Sequence, residues 1–437
     1  MMYDVAVIGL GPSGLKFVRE ALKKGLNVIA FEKTFAGGTC LNAGCIPTKT
    51  MLSCVEVFSH VKNCSKYAVS AAEDSCEISW KDLLEKKSRV VQKLRQAVQK
   101  DLDTKGLTVI NAPAAVEVEN SRAYIVSQGL RYDADKIIAA TGSCPLELEG
   151  LKFNHDTVIN SDDLLELESV PKTLLIIGSG AIGVEWARIF NSIGTQVTVV
   201  EKAPMLAPAM DIDIASRIER IFKMSKIKFY KSATVVSYNG AQAVLSDGSV
   251  IECEKILCAA GRKRVLPEIS NGFKLEVSPD CSTNVENLYV TGDASGVKML
   301  AHVAAYQAKA LFDFLYKNKH YFIPEIPSVI YGFPEIASIG IREQDIEDRL
   351  KNEYKIYKLP VSYLPKSWCD DAIDGFIKII AHEGIIKGAH IVSKEASALI
   401  SQIAIIMKAG LKVNEIEEII FPHPTYSEGI QEAVLNG

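Results

Sequence analysis

An internal repeat constrains this chain more than any other feature. Residues 5–33, VAVIGLGPSGLKFVREALKKGLNVIAFEK, align without a gap on residues 174–202, LLIIGSGAIGVEWARIFNSIGTQVTVVEK, at a constant offset of 169. Each copy runs from an apolar, strand-like stretch through G-x-G-x-x-G into a helical stretch. A glycine (Gly25, Gly194), a second apolar strand and Glu-Lys follow. The fingerprint glycines are Gly9, Gly11 and Gly14 in the first copy and Gly178, Gly180 and Gly183 in the second. The first of each trio permits a tight strand-to-helix turn, the second lets a pyrophosphate approach the backbone, and the third lets helix close on strand. The N–H groups at the helix start then receive the phosphate. Glu32 and Glu201 each stand 23 residues after the first glycine, at the end of the second strand, where a carboxylate accepts from ribose hydroxyls. One glycine run alone marks ordinary turns. Two, in the same strand–turn–helix–strand setting, predict an α/β fold with two Rossmann-like domains and two bound dinucleotides.

At the second site a 2′-phosphate is repelled by Glu201, and the following residues, KAPMLAPAMDID, offer Lys202 as their only cation. NAD is therefore expected there in preference to NADP, with Lys202 left open as a phosphate contact.

The chain has 437 residues, 48% of them hydrophobic, which suits two to four domains with cores of their own. A formal net charge of −4, with 23% charged residues, argues against a nucleic-acid or membrane-surface binder and favours small-molecule partners. No apolar run has membrane-spanning length. The ten cysteines are scattered too widely to read as a small secreted disulfide scaffold. With MMYDVAVIGLGPSG in place of a signal sequence, they predict a cytoplasmic protein.

Two thiols stand out, Cys40 and Cys45 in GGTCLNAGCIPTK (37–49). Paired metal ligands are usually closer and need two more donors, so no metal site is read here. A redox pair needs only its two sulfurs. A static disulfide and two idle thiols are the plainer alternatives. Lys49, one helical turn beyond Cys45, is a cation that favours a thiolate. Near the other end, FPHPTYSEGIQEA sets His423 and Glu428 five residues apart across a proline turn leading into a helix. There a carboxylate can orient an imidazole poised to take a proton from a thiol.

Other stretches organise the remainder. KIIAATGSCP (136–145) and KILCAAGRKR (255–264) match one another as short strands ending in small-residue turns, and are expected as crossing points between domains. Residues 81–105 carry an amphipathic helical pattern with a solvated face. LTVINAPAAVEVENSRAYIVS (107–127) alternates like a small antiparallel sheet. NLYVTGDAS ends an apolar strand at Asp293, which read alone could simply cap the next helix. Glu185, near the start of the second fingerprint helix, could likewise complement that helix's dipole.

Taken together and in order, GGTCLNAGCIPTK, AATGS, the second fingerprint with Glu185, VTGDAS, MLAHVAAYQAK, IPSVIYGFPEIASIG and FPHPTYSE resemble the FAD-dependent pyridine nucleotide–disulfide oxidoreductases. Among these they are most similar to the dihydrolipoamide dehydrogenases, over nearly the whole chain. The resemblance implies FAD held by Gly9, Gly11, Gly14, Glu32, Lys33, Gly38, Thr39, Lys49, Thr141, Gly142, Asp293 and Ala301, with Asp293 on the ribityl chain. It implies NAD held by Gly178, Gly180, Gly183, Glu201 and Gly261, and places His302 beside the flavin through its backbone. Cys40 and Cys45 would form a redox disulfide, Cys45 facing the flavin and Cys40 exchanging with substrate. Glu185 would pair with Lys49, and the His423–Glu428 dyad would reach across a dimer interface.

The implied layout is an FAD domain (1–143 and 264–318), an NAD domain (144–263) and an interface domain (319–437). The implied reaction carries electrons from dihydrolipoamide, through the disulfide and FAD, to NAD. The expected partners are a small-molecule or lipoyl-protein dithiol, a second copy of the chain, and a 2-oxo acid dehydrogenase complex, with neither nucleic acid nor membrane. The alternatives are an NAD(P)H-dependent reductase of another small disulfide, and a flavin-binding subunit or sensor without turnover. Mercuric and large thioredoxin reductases need a C-terminal redox pair, whereas the last cysteine here is Cys369. Glutathione-type reductases use NADP, against which Glu201 speaks. The chain departs from the family pattern at KRVLPEISNGF, and at YGFPE, where Gly332 replaces a usual threonine.

Overall fold

The computed structural model describes residues 2–70, 76–103, 106–270 and 272–437. Its internal contacts divide the chain into two compact units. The first comprises Met1–Thr50, Leu84–Leu146 and Arg262–Ile323, the second Met51–Leu83, Glu147–Gly261 and Pro324–Gly437.

The first unit is built on an eight-stranded mixed sheet. Met2–Ile8 lies between Val28–Phe31 and Leu130–Ala139, parallel to both. Its VAVI run is buried on both faces, as a central parallel strand requires. One face carries Phe17 and Val18 of the helix Pro12–Lys23 together with Leu311 and Phe312 of the helix Ala301–Lys317. Opposite it, Val116, Ala123 and Ile125 come from the antiparallel extension of the sheet. The long strand Leu130–Ala139 serves both parts: its first residues pair antiparallel with Arg122–Ser127, its later ones parallel with Met2–Ile8. Leu107–Ile110 corrects one expectation. It leaves the antiparallel group and pairs parallel with Val28–Phe31, at the edge of the dinucleotide sheet. Period-two alternation marks a half-buried strand without revealing the direction of its neighbour. The amphipathic helix spans Trp80–Leu102 and buries Val91 and Leu102.

The second unit repeats the arrangement. Its parallel sheet runs Lys228–Tyr230, Gln196–Val200, Thr173–Ile177, Lys255–Cys258, Val158–Ile159, with Val235–Tyr238, Gln242–Leu245 and Val250–Glu252 forming a small antiparallel sheet beside it in sequence. Residues from Pro324 onward form a five-stranded antiparallel sheet in which Ile385–Ser393 pairs with Glu335–Gly340 and Phe376–His382. That sheet is covered by Leu399, Ile400 and Ile403 of the helix Ala396–Ala409 and by Ile430 and Ala433 of the helix Glu428–Asn436. Among the described residues no helix is long and apolar enough to cross a membrane.

Candidate active site

The two fingerprints fold into matching turns. Gly9 (φ +90°) and Gly178 (φ +99°) occupy the left-handed region, and a Cβ on either would lie 2.5 Å from Ala140 O or 2.6 Å from Ala259 O. Cβ atoms on Gly14 and Gly183 would lie 1.9 Å from the carbonyl oxygens of Gly9 and Gly178. Backbone fills the space at these four positions, so only glycine fits. The middle glycines are different. Gly180 has nothing within 4 Å of its missing side chain, and Gly11 meets only the Cα of Gly38, at 3.7 Å. Neither helix start carries a side-chain cap. Each turn thus offers bare backbone at the positive end of a helix, which fits a pyrophosphate.

The two strand-end glutamates also match. Glu32 Oε2 accepts from Leu10 N at 2.8 Å and Oε1 from Thr34 N at 3.0 Å. Glu201 Oε2 accepts from Ser179 N at 2.9 Å and Oε1 from Ala203 N at 2.9 Å. Each carboxylate therefore ties the glycine turn to the end of the second strand, a task that sequence reasoning did not anticipate.

The cysteine stretch is fastened to the first fingerprint. Gly38 opens the short helix Gly38–Asn42 that carries Thr39 and Cys40, and Cys45 begins the helix Cys45–Lys62 that carries Lys49. Gly44 allows the reversal between them, since a Cβ there would come 3.0 Å from Thr39 O. Asn42 Nδ2 donates to Gly38 O at 2.8 Å, and Arg95 Nε donates to Asn42 Oδ1 at 2.5 Å with its guanidinium 3.8 Å from the Phe35 ring centroid. Cys40 and Cys45 are hydrogen-bonded thiols. That bond pushes the Cys40 thiol well above the ordinary range; burial adds to the rise, and the nearby Lys49 charge opposes it. Two sulfurs this close can close a disulfide and reopen it.

Elsewhere in the first unit, Asp293 sits in the turn Gly292–Ser295 and does not cap the following helix. Its Oδ2 accepts from Ser143 Oγ at 2.6 Å, and Arg262 donates to Ser143 through Nε and Nη2, both at 2.8 Å. This link exists because the two crossing segments pair with each other: Ser143–Pro145 lies antiparallel to Arg262–Arg264. Thr141 Oγ1 donates to Val265 O at 2.5 Å, and the neighbouring Gly142 has a φ of +77°. Gly292 approaches Ser13 of the first fingerprint, with 3.0 Å between its missing Cβ and that of Ser13. Lys33, Thr39 and His302 are exposed, and Ala301 starts its helix.

In the second unit Glu185 is buried, and its Oε1 accepts from Tyr331 N at 3.0 Å. One turn on, Arg188 Nη1 donates to Pro334 O at 2.9 Å. Burial pushes the guanidinium down to about 10, against the pull of the Glu185 charge. A Cβ on Gly332 would lie 2.3 Å from Arg188 Nη1, so the glycine in place of threonine makes room for this arginine. Arg188, Ser143, Asn42 and Arg95 escaped sequence reasoning. Only the departure at Gly332 carried a trace of the first. Gly261, with a φ of +132°, follows the strand that abuts Gly178.

The dyad is formed within this unit. His423 Nδ1 lies 2.9 Å from Glu428 Oε2, and Glu428 Oε1 accepts from Thr425 N at 3.4 Å. The glutamate is mostly buried at the start of its helix, while the imidazole is 66% exposed. A carboxylate beside Nδ1 keeps the proton there and leaves the Nε2 lone pair facing outward, the arrangement of a general base.

The paired glycine turns and the dithiol define a flavoprotein disulfide oxidoreductase. Residues 3–308 match the pyridine nucleotide-disulphide oxidoreductase family and residues 326–434 its dimerisation domain, and the chain belongs to that family. It is 31% identical to the dihydrolipoyl dehydrogenase of Mycoplasma pneumoniae, over 99% of this chain and 98% of that one. It is likewise 31% identical to a dihydrolipoyl dehydrogenase of Bacillus subtilis, with the same coverage. Among solved structures, LpdA of Mycobacterium tuberculosis has a TM-score of 0.89 at 22% identity, covering 99% of both chains. The HOCl-induced flavoprotein disulfide reductase RclA of Escherichia coli has 0.86 at 24%, covering 99% of this chain and 100% of that one. The enzyme uses FAD and NAD, as the family does, and both glycine turns fit a dinucleotide.

Proposed function

We propose that the chain is a dihydrolipoamide dehydrogenase, oxidising a dithiol with NAD as the final acceptor. The observation that supports this most is the hydrogen-bonded Cys40–Cys45 pair on a turn fastened to the first glycine fingerprint. It gains weight from relatives of that name matching end to end. In this reading residues 1–143 and 264–318 hold FAD, 144–263 hold NAD, and 319–437 form the interface of a cytoplasmic homodimer. Free dihydrolipoamide, or the lipoyl arm of a 2-oxo acid dehydrogenase complex, is the substrate.

His423, held by Glu428 and reaching across the dimer interface, takes the proton of a substrate thiol through Nε2. The thiolate attacks Cys40 of the oxidised Cys40–Cys45 disulfide, forming a mixed disulfide and releasing Cys45 as the thiolate. The second substrate thiol then displaces Cys40 sulfur, so the substrate leaves as a disulfide and the enzyme keeps the dithiol. Lys49 favours the thiolate form of Cys45. Bound FAD supplies the two-electron chemistry that links the dithiol to NAD. Asp293, Thr141, Gly142, Gly38, Thr39, Lys33 and Ala301 orient the flavin dinucleotide, Glu32 its ribose; Glu201 and Gly261 do so for NAD.

The test is a paired assay on purified holoenzyme: dihydrolipoamide oxidation with NAD or NADP, and NADH-driven reduction of lipoamide, glutathione disulfide and other small disulfides. Dihydrolipoamide with NAD is expected to be the fastest pair. A faster reduction of another disulfide would replace this reading with a reductase of that compound, and equal use of NADP would remove the role given to Glu201.

A further inference from the structure

We propose that Gln344 and Arg342, backed by Lys378, are positioning residues for nicotinamide dinucleotide binding, acting through the loop from Glu201 to Asp211. The inference rests on reading Glu201 as the ribose-accepting carboxylate. Everything it invokes lies in the second unit.

The loop EKAPMLAPAMD has no regular secondary structure, and its two prolines cannot donate hydrogen bonds. Within it Ala203 N donates to Glu201 Oε1, at 2.9 Å, and Met210 N to Ala207 O, at 2.8 Å, and the rest of its shape comes from groups outside it. At its near end, Ser179 Oγ donates to Glu201 Oε2 at 2.6 Å and accepts from Ala207 N at 2.9 Å, so the loop folds back onto the glycine turn. At its far end three consecutive residues beyond the strand Glu335–Gly340 take hold. Arg342 Nη1 donates to Pro208 O at 2.8 Å, Glu343 N donates to Asp211 Oδ2 at 3.0 Å, and Gln344 Nε2 donates to Met210 O at 2.9 Å. Gln344 Oε1 also accepts from Ile212 N at 3.1 Å. The Arg342 fork is itself fixed by Asp345, at 2.6 and 2.7 Å.

Beneath this clasp lies Lys378, fully buried with Asp211. Its Nζ reaches Asp211 at 2.8 Å, Asp213 at 2.7 Å and Glu343 at 2.5 Å. Charge-assisted bonds of this kind fix geometry more reliably than they add stability. Lys378 therefore holds in one place both the cap of the helix Ile212–Met224, which is Asp211, and the residue between the two clasping side chains. A loop that begins at the ribose-accepting residue and is clamped at both ends is ordered before nucleotide arrives. Releasing one end moves the cost of that order into the binding step.

Gln344 is exposed, so Gln344→Ala tests the clasp without opening the core. Binding of NAD and of ADP-ribose to the holoenzyme is measured by titration calorimetry, together with hydrogen exchange of the 201–212 amides. The expected result is a Kd raised about fivefold or more for both nucleotides, with faster exchange at Ile212. The KM for NAD should rise while that for the dithiol holds. Arg342→Ala should act in the same direction, and Arg342→Lys should restore part of the loss. Wild-type Kd values in Gln344→Ala, or unchanged exchange at Ile212, would overturn the proposal. Glu201→Gln, titrated alongside with ADP-ribose, separates the two readings: wild-type affinity there refutes the ribose role of Glu201, whereas wild-type affinity in Gln344→Ala alone refutes the clasp.

Discussion

Gly38 lies backbone to backbone against Gly11: a Cβ on Gly38 would come 2.7 Å from the Gly11 Cα. This contact joins the cysteine-bearing turn to the middle glycine of the first fingerprint. A side chain at Gly38 would push apart the two segments that the proposed chemistry needs together, whereas one at Gly11 would meet the Gly38 Cα only at an ordinary 3.7 Å.

Gly38→Ala is accordingly expected to lose FAD during gel filtration and to melt several degrees lower. Gly25→Ala is the control. Gly25 has a comparable φ of +80° but nothing within 4 Å of its missing side chain, so that variant bears only the left-handed strain, about 1–2 kcal/mol, and should retain its flavin. The absorbance ratio at the flavin and protein maxima checks both. Equal retention would show that the Gly38 contact is incidental.

The Cys40 thiol is pushed up first by its hydrogen bond to Cys45. Removing that partner in Cys45→Ala should let Cys40 ionise nearer the usual range of about 8.5 and react with iodoacetamide at least ~10-fold faster at pH 8. Dithiol-driven reduction of the bound FAD should disappear in Cys45→Ser while NADH still bleaches it. Retained dithiol-driven reduction would remove Cys45 from the pathway.

The repeat, the cysteine pair and the dyad were legible because each is local: glycine positions, a five-residue spacing and a proline turn are properties of adjacent residues. What was not legible depends on pairing between distant segments. The Ser143–Asp293 bond spans 150 residues and the Lys378–Asp211 bond 167, and nothing in either neighbourhood announces the other. Both crossing segments were visible as a matched pair, yet their pairing with each other follows only from the sheet. Leu107–Ile110 was readable as a strand, but its partner was not.

Acid should destabilise the second unit in two stages. His390 is buried, with Nδ1 2.7 Å from Ser338 Oγ and Nε2 2.9 Å from Ile341 O. Burial pushes its pKa down against the opposing pull of Asp211. The folded protein then takes up this proton less readily than the unfolded chain, so stability is lost as pH falls below about 6.5, the ordinary histidine value. Asp211 and Asp213 act lower down. Burial raises both, but it is outweighed by His390, Lys378 and backbone donors at Asp211, and by Lys358 and Lys378 at Asp213. Both carboxyls end below the usual range, and their contribution goes as pH falls through about 4 and beneath. The melting temperature is expected to be flat from pH 7 to 8 and to fall in these two steps. His390→Asn should flatten the first step only, and an unchanged profile in that variant would assign the step elsewhere.

With Glu428 Oε2 2.9 Å from His423 Nδ1, the imidazole presents Nε2 as its base. His423→Ala should slow thiol–disulfide exchange with dihydrolipoamide by on the order of a hundredfold or more, yet leave the Cys40–Cys45 disulfide reducible by NADH. Glu428→Gln is the more discriminating change. The amide preserves shape, but its NH2 can donate to Nδ1, which favours the tautomer with the proton on Nε2, where it blocks the base. A large loss in Glu428→Gln, with the melting temperature held, would mark the carboxylate as the group that sets the tautomer. Wild-type exchange in His423→Ala would make the dyad a structural element of the C-terminal helix and would leave the substrate thiol to ionise without it.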